Sequence, residues 1–368
     1  MMTTQHEKLR AGDLVEVRSK KEILATLDPN GRLEGLPFMP QMFQYCGQQF
    51  QVIASAHKTC DVIAGEGRSL PNCVHLDIRC DGQGYGGCQS ACLIFWKHAW
   101  LRRVDEAKAS YQAHAAVTPS PGTAEVHVPA CTESNVWRAT KHLRASGEMI
   151  YSCQATRLPH FTGPLAWWDV RQYIEDYRSG NVSLARLACG FLYQSYTHST
   201  QAWRHRLGRP ARWVYDAFQA AIGGIPFPRK PGALPPDKPA PIADFNLQPG
   251  DLVRVKSHED ILATVTKGGM NRGLLFDKEM VPFCGRVFRV KTRVTTFVNE
   301  STGRLTTLKT PAVILEGVWC QSRYSNKKMF CPRALYSWWR DIWLERIPDE
   351  HTINPGAQSG REVRASTD

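Results

Sequence analysis

The sequence predicts an α+β chain of two small SH3-like, KOW-type β-barrels, each closed by an aromatic helix and flanking a mostly helical insert. Three observations carry that expectation. Residues 12–52 align without a gap to residues 250–290 with close to half the positions identical, far above chance for one chain compared with itself. Each copy opens Gly-Asp-Leu-Val-x-Val, an alternating apolar run entered through a tight turn, and continues as short alternating runs with turns about every ten residues. Between the copies the pattern changes to longer stretches of helix-forming residues.

The first barrel is expected over residues 1–104. After the opening strand come a short charged helix or turn at 19–25, a Gly-rich loop, strands at 49–54 and 74–78, and an aromatic, basic helix at 88–103. The second barrel, 249–348, repeats the order: a helix or turn at 257–263, strands at 286–292 and 312–318 with a hairpin turn at 299–303, and a closing helix at 332–346. Trp96, Trp100, Trp339 and Trp343 recur at four-residue spacing, which reads as a core stripe. In the insert, 105–222, a loop at 106–130 precedes helical stretches at 132–146, 164–180, 183–206 and 211–221, with a break at Gly208-Arg209-Pro210. Residues 223–248 hold too many prolines for a packed element and read as an extended linker; 349–368 reads as a disordered tail.

A chain of 368 residues can bury a core in each domain and needs no disulfides to stay folded. Its start has no apolar leader, and nowhere do 18 apolar residues run together, so the expected compartment is the cytoplasm, with no membrane partner. Thiols stay reduced there, so the 12 cysteines read as metal ligands, catalytic thiols or small buried hydrophobes. A formal charge of +12 attracts anions, from phosphorylated metabolites to nucleic acid and acidic carrier proteins, without selecting among them.

Comparing the copies ranks the cysteines. Cys46, Cys80 and Cys88 answer to Cys284, Cys320 and Cys331; the first copy adds Cys60, Cys73 and Cys92, and the insert adds Cys131, Cys153 and Cys189. The densest constellation is Cys80-Asp-Gly-Gln-Gly-Tyr-Gly-Gly-Cys88-Gln-Ser-Ala-Cys92, three thiols on a Gly-rich loop, where ligands converge and backbone N–H groups point at a bound anionic centre. Cys60 or Cys46 would complete four. The C-x7-C-x3-C spacing lacks the paired C-x2-C knuckles of structural zinc, and Cys331-Pro332 is a step also found at the last ligand of bacterial ferredoxins; both favour an iron–sulfur cluster over zinc. The bland alternative, buried packing, fits Cys73, Cys131 and Cys189 better than the loop thiols. Cys284, Cys320 and Cys331 either hold a second metal with a non-thiol ligand or only pack, and Cys153 is in reach of either site. His57 and Asp61 flank Cys60 and are the candidates for orienting a ligand or moving a proton, against the plainer reading of a solvated turn.

Walker, dinucleotide, zincin and nucleophile-elbow motifs are absent, as is the three-cysteine motif of radical chemistry. The signatures Gly-Asp-Leu-Val-x-Val-x-Ser, His57-Lys-Thr-Cys60-Asp, the loop just quoted running on into Leu-Ile-Phe-Trp-Lys, and Cys331-Pro-Arg-x2-Tyr-x2-Trp-Arg-x2-Trp-Leu-Glu-Arg resemble those of a group of uncharacterised bacterial proteins with the same duplicated units. The resemblance also takes in Trp167-Trp168-Asp-x-Arg-Gln-Tyr. It implies that the cysteines form a site and brings no reaction with it. The expected function is therefore a thiolate-bound metal protein of small-molecule metabolism acting on a small or anionic substrate, its centre doing redox or Lewis-acid chemistry or holding the loop in shape. Two alternatives stay open. One is a basic tandem-barrel nucleic-acid-binding protein with structural zinc; the other is a scaffold docking partners through Trp167, Trp168 and the 183–206 helix.

Overall fold

In both halves the Gly-Asp turn leads into a strand whose alternation sorts its residues: Val15 and Val17 are fully buried, as are Val253 and Val255. The computed structural model describes residues 8–104, 130–202, 208–221, 224–325 and 327–348. Strand Leu14–Val17 is followed by helix Lys20–Thr26, capped by Ser19, whose side chain accepts from the Glu22 N–H while Glu22 reaches back to the Ser19 N–H. Ser257 caps helix His258–Leu262 in the same way by accepting from the Asp260 N–H.

The fold is a mixed α+β one with antiparallel sheets. One five-stranded half-barrel sheet runs in the order Leu93–Lys97, Cys73–Arg79, Gln49–Ser55, Leu14–Val17, Leu101–Arg103. The other runs Tyr336–Trp339, Leu305–Trp319, Val287–Val298, Leu252–Val255, Leu344–Arg346. By internal contacts the chain falls into two units. The first holds Met1–Pro228 with Thr295–Lys309 and Trp319–Tyr336; the second holds Arg229–Val294, Thr310–Val318 and Ser337–Asp368.

The closing segments are not helices. Residues 93–103 form strand Leu93–Lys97, the single 3-10 turn His98–Trp100 and strand Leu101–Arg103, and the second copy repeats this with Tyr336–Trp339, Asp341–Trp343 and Leu344–Arg346. The run Leu-Ile-Phe-Trp is rich in β-formers, and a four-residue Trp spacing suits a strand followed by a turn as well as it suits a helix. Trp96 lies opposite Val74 in the ladder, while the turn carries Trp100 back so that its Nε1 donates to Thr26 Oγ1 at 3.1 Å; Trp343 donates to Thr264 Oγ1 at 2.9 Å. All four tryptophans are fully buried, as core residues should be.

The insert is less helical than its sequence suggests. Helix Glu133–Ala139, capped by Thr132, stops halfway through the expected 132–146, where strand Lys141–Leu143 turns through Gly147 to pair with Met149–Tyr151. Within 164–180 only Arg171–Arg178 is helical, and Trp167 and Trp168 stand exposed on the turn before it. Helices Leu184–Ala202 and Gly208–Ala221 follow. Residues 224–251 carry no helix or strand. Apart from Ala130, the expected loop at 106–130 lies outside the described residues, and so does the expected tail at 349–368. Among the described residues no helix is long and apolar enough to cross a membrane.

Candidate thiolate site

Strand Cys73–Arg79 ends at Cys80, and the chain returns to strand Leu93–Lys97 at Cys92, whose carbonyl accepts from the Cys80 N–H at 2.8 Å. The loop between them depends on glycine. Gly82 has φ +75, and a Cβ there would overlap the Cys88 carbonyl; Gly86 has φ +64, and a Cβ there would come within 2.6 Å of the Tyr151 hydroxyl oxygen. Gln89 holds the loop to residues 295–296, its Oε1 accepting from the Thr295 N–H at 2.7 Å and the Thr296 N–H at 3.0 Å.

This loop makes one wall of an open recess inside the first unit, and Cys80, Cys88, Cys92 and Cys153 all line it. Cys153 comes from the insert and is fixed by its neighbours. Its N–H donates to Thr156 Oγ1 at 2.9 Å, while buried Gln154 accepts from the Phe95 N–H at 2.8 Å and donates to the Phe95 carbonyl at 3.0 Å. Donors address two of the sulfurs: Gln41 Nε2 reaches Cys80 Sγ at 3.2 Å, and the Val298 N–H reaches Cys88 Sγ at 3.3 Å.

Burial pushes Cys80, Cys92 and Cys153 above the ordinary thiol range, and the neighbouring thiols add to it: Cys153 and Cys88 act on Cys80, Cys153 and Cys80 on Cys92, and Cys88 on Cys153. Cys80, Cys92 and Cys153 thus keep their protons at neutral pH unless a cation compensates the thiolates.

Arg333 and Glu300 form another part of the recess wall. The Arg333 guanidinium is buried; it donates to Glu300 Oε1 at 2.8 Å and to the Cys60 carbonyl at 2.8 Å. Behind it, Cys60 and Cys331 are buried and hydrogen-bonded to each other. The Cys331 thiol bonded to its sulfur lowers Cys60, helped by Arg333 and opposed by burial, whereas burial raises Cys331. Ala91, Phe330 and Ala334 adopt left-handed backbone beside Cys92, Cys331 and Arg333, placing strain around the thiols, where functional sites commonly store it.

The other sequence candidates lie elsewhere. Cys46 closes the 3-10 helix Pro40–Tyr45, and burial raises it. Cys284 belongs to the second unit, where burial pushes it up to about 12. Cys320 stands 3.5 Å from Ser322 Oγ. Asp61 shapes a turn by accepting from the N–H groups of Ile63 and Ala64 at 2.9 and 3.0 Å. His57 faces Asp176, with Nε2 3.3 Å from Oδ1, and not Asp61; Lys58 binds the same carboxylate at 2.5 Å. Among the described residues no three His, Cys, Asp or Glu side chains are gathered as the ligands of a metal ion.

Cys80, Cys88, Cys92 and Cys153 thus line one recess, and Cys60 and Cys46 are not among its lining residues. Arg333 and Gln154 had no sequence signal as wall and support; the Ser-Cys153-Gln-Ala-Thr stretch had one, a cysteine beside two side chains able to fix it. Comparison with protein-family models gives no match, and comparison with curated proteins gives none.

Proposed function

We propose that the first unit holds a thiolate-bound metal centre on Cys80, Cys88, Cys92 and Cys153, within an SH3-like barrel formed by the first five-stranded sheet. The observation that carries this reading is that four cysteines, from a glycine-dependent loop and a side-chain-anchored turn, line one recess. N–H donors on two of the sulfurs support it, because such bonds stabilise thiolate ligands. An iron–sulfur cluster is the favoured occupant. Zinc, with bonds of about 2.3 Å, would draw all four sulfurs onto one point, whereas a cluster suits an open recess and the C-x7-C-x3-C spacing. The open side of the recess fits access by a small molecule, which supports a role in small-molecule metabolism over nucleic-acid binding.

The test is anaerobic purification followed by iron, sulfide and zinc analysis with a visible absorption spectrum. Iron and acid-labile sulfide in stoichiometric amounts, with a broad thiolate-to-iron band, are expected. Stoichiometric zinc without sulfide would replace the cluster by a zinc centre. A colourless protein with neither metal would overturn the proposal.

A further inference from the structure

Helix Gly208–Ala221 is built inside out. Its polar side chains face the protein: Asp216 Oδ1 accepts from the Phe227 N–H at 2.7 Å, Gln219 Oε1 accepts from the Ile225 N–H at 3.1 Å, and Tyr215 stacks on Tyr196 of helix Leu184–Ala202. Its outer face is Trp213, Val214, Ala217, Phe218, Ala220 and Ala221, all exposed, with Trp213 at 72 % and Phe218 at 59 %. These positions follow one helical face, and no charged residue interrupts them. The helix it stacks on also exposes Leu184, Phe191 and Leu192, the last at 70 %. Single exposed apolar residues are ordinary, but a continuous apolar face of this extent marks an interaction site.

We infer that this face is a self-association surface, occupied by the same face of a second copy of the chain in a two-fold dimer. Self-complementarity points to a second copy. Antiparallel pairing of the helix with its own copy about Ala217 sets Trp213 over Ala221 and Val214 over Ala220, large side chains onto small ones, on both sides of the axis. A face without charge can meet its own copy without repulsion, whereas an anionic partner would find no complementary charge along it.

Sedimentation velocity of the full chain over the micromolar to hundred-micromolar range tests this. A reversible monomer–dimer equilibrium is expected, with Trp213→Glu and Phe218→Glu each monomeric at every concentration and unchanged in circular dichroism. Mixing Trp213→Glu protein with Ala221→Lys protein, each monomeric alone, should restore a heterodimer, because antiparallel pairing opposes the new charges. A wild-type chain that stays monomeric, a dimer that survives both Glu variants, or a mixture that fails to dimerise overturns the inference. So does a wild-type monomer that co-sediments with anionic phospholipid vesicles, which would assign the face to a membrane surface.

Discussion

Asp176 is fully buried between two basic side chains, and removing its charge should destabilise the first unit more than almost any other single change. Lys58 Nζ lies 2.5 Å from Asp176 Oδ2, donates to the Met329 carbonyl at 2.9 Å, and sits 5.0 Å from the centre of the Tyr173 ring. Burial pulls the Lys58 pKa down, and the Asp176 carboxylate is what opposes that pull. Asp176→Asn keeps the volume and deletes the counter-charge, which leaves an ammonium in the interior at a cost of about 3–5 kcal/mol. Replacing both partners with apolar residues, Lys58→Met with Asp176→Leu, removes the unpaired charge and should recover most of that loss. Urea unfolding followed by tryptophan fluorescence and circular dichroism measures both. A cost under about 1 kcal/mol for Asp176→Asn, or a double variant less stable than the single, would refute the reasoning.

His75 is fully buried, and burial holds it at about 4, below the ordinary 6.5. The unfolded chain therefore takes up a proton that the folded one refuses. Stability from this group is intact above pH ~6.5 and falls by about 3 kcal/mol as the pH drops to ~4, and His75→Phe should flatten that slope in urea titrations. Gly82 and Gly87 share φ +75, but only at Gly82 would a Cβ strike the Cys88 carbonyl, while nothing lies within 4 Å of Gly87. Both alanine variants should pay about 1–2 kcal/mol for left-handed backbone, yet only Gly82→Ala should lower the metal-to-protein ratio; equal ratios would show that the loop geometry does not set the site.

What could be read in advance follows physical lines. Alternation in Leu14–Val17 and Leu252–Val255, and the short charged helices that follow, are local signals and survive into the structure. The Trp96–Trp100 spacing misled, because a strand joined to a tight turn places residues four apart on one core as a helix does, and only the ladder Val74↔Trp96 decides between them. That Cys80, Cys88 and Cys92 lie near one another is legible because they share one short Gly-rich loop. Cys153 was legible only as in reach of either site, since its place on the recess depends on tertiary packing anchored by Gln154. His57 and Asp61 read as groups that flank Cys60 and could orient a ligand or move a proton; Asp61 is occupied by its own turn, and the carboxylate beside His57 comes from helix Arg171–Arg178. Cys331 reads by alignment as part of the second copy, yet it belongs to the first unit and pairs with Cys60.

The most direct test of the thiolate centre compares metal and sulfide content in Cys153→Ser and Cys60→Ser, purified anaerobically beside the unaltered chain. Cys153 lines the recess, and a serine hydroxyl, protonated at neutral pH, replaces a thiolate poorly; that variant should lose its metal while keeping its circular dichroism spectrum. Cys60 lies behind Arg333, bonded to Cys331, so Cys60→Ser should keep its metal. Full metal in Cys153→Ser, with loss in Cys60→Ser, would contradict the account and move the centre to the Cys60–Cys331 pair.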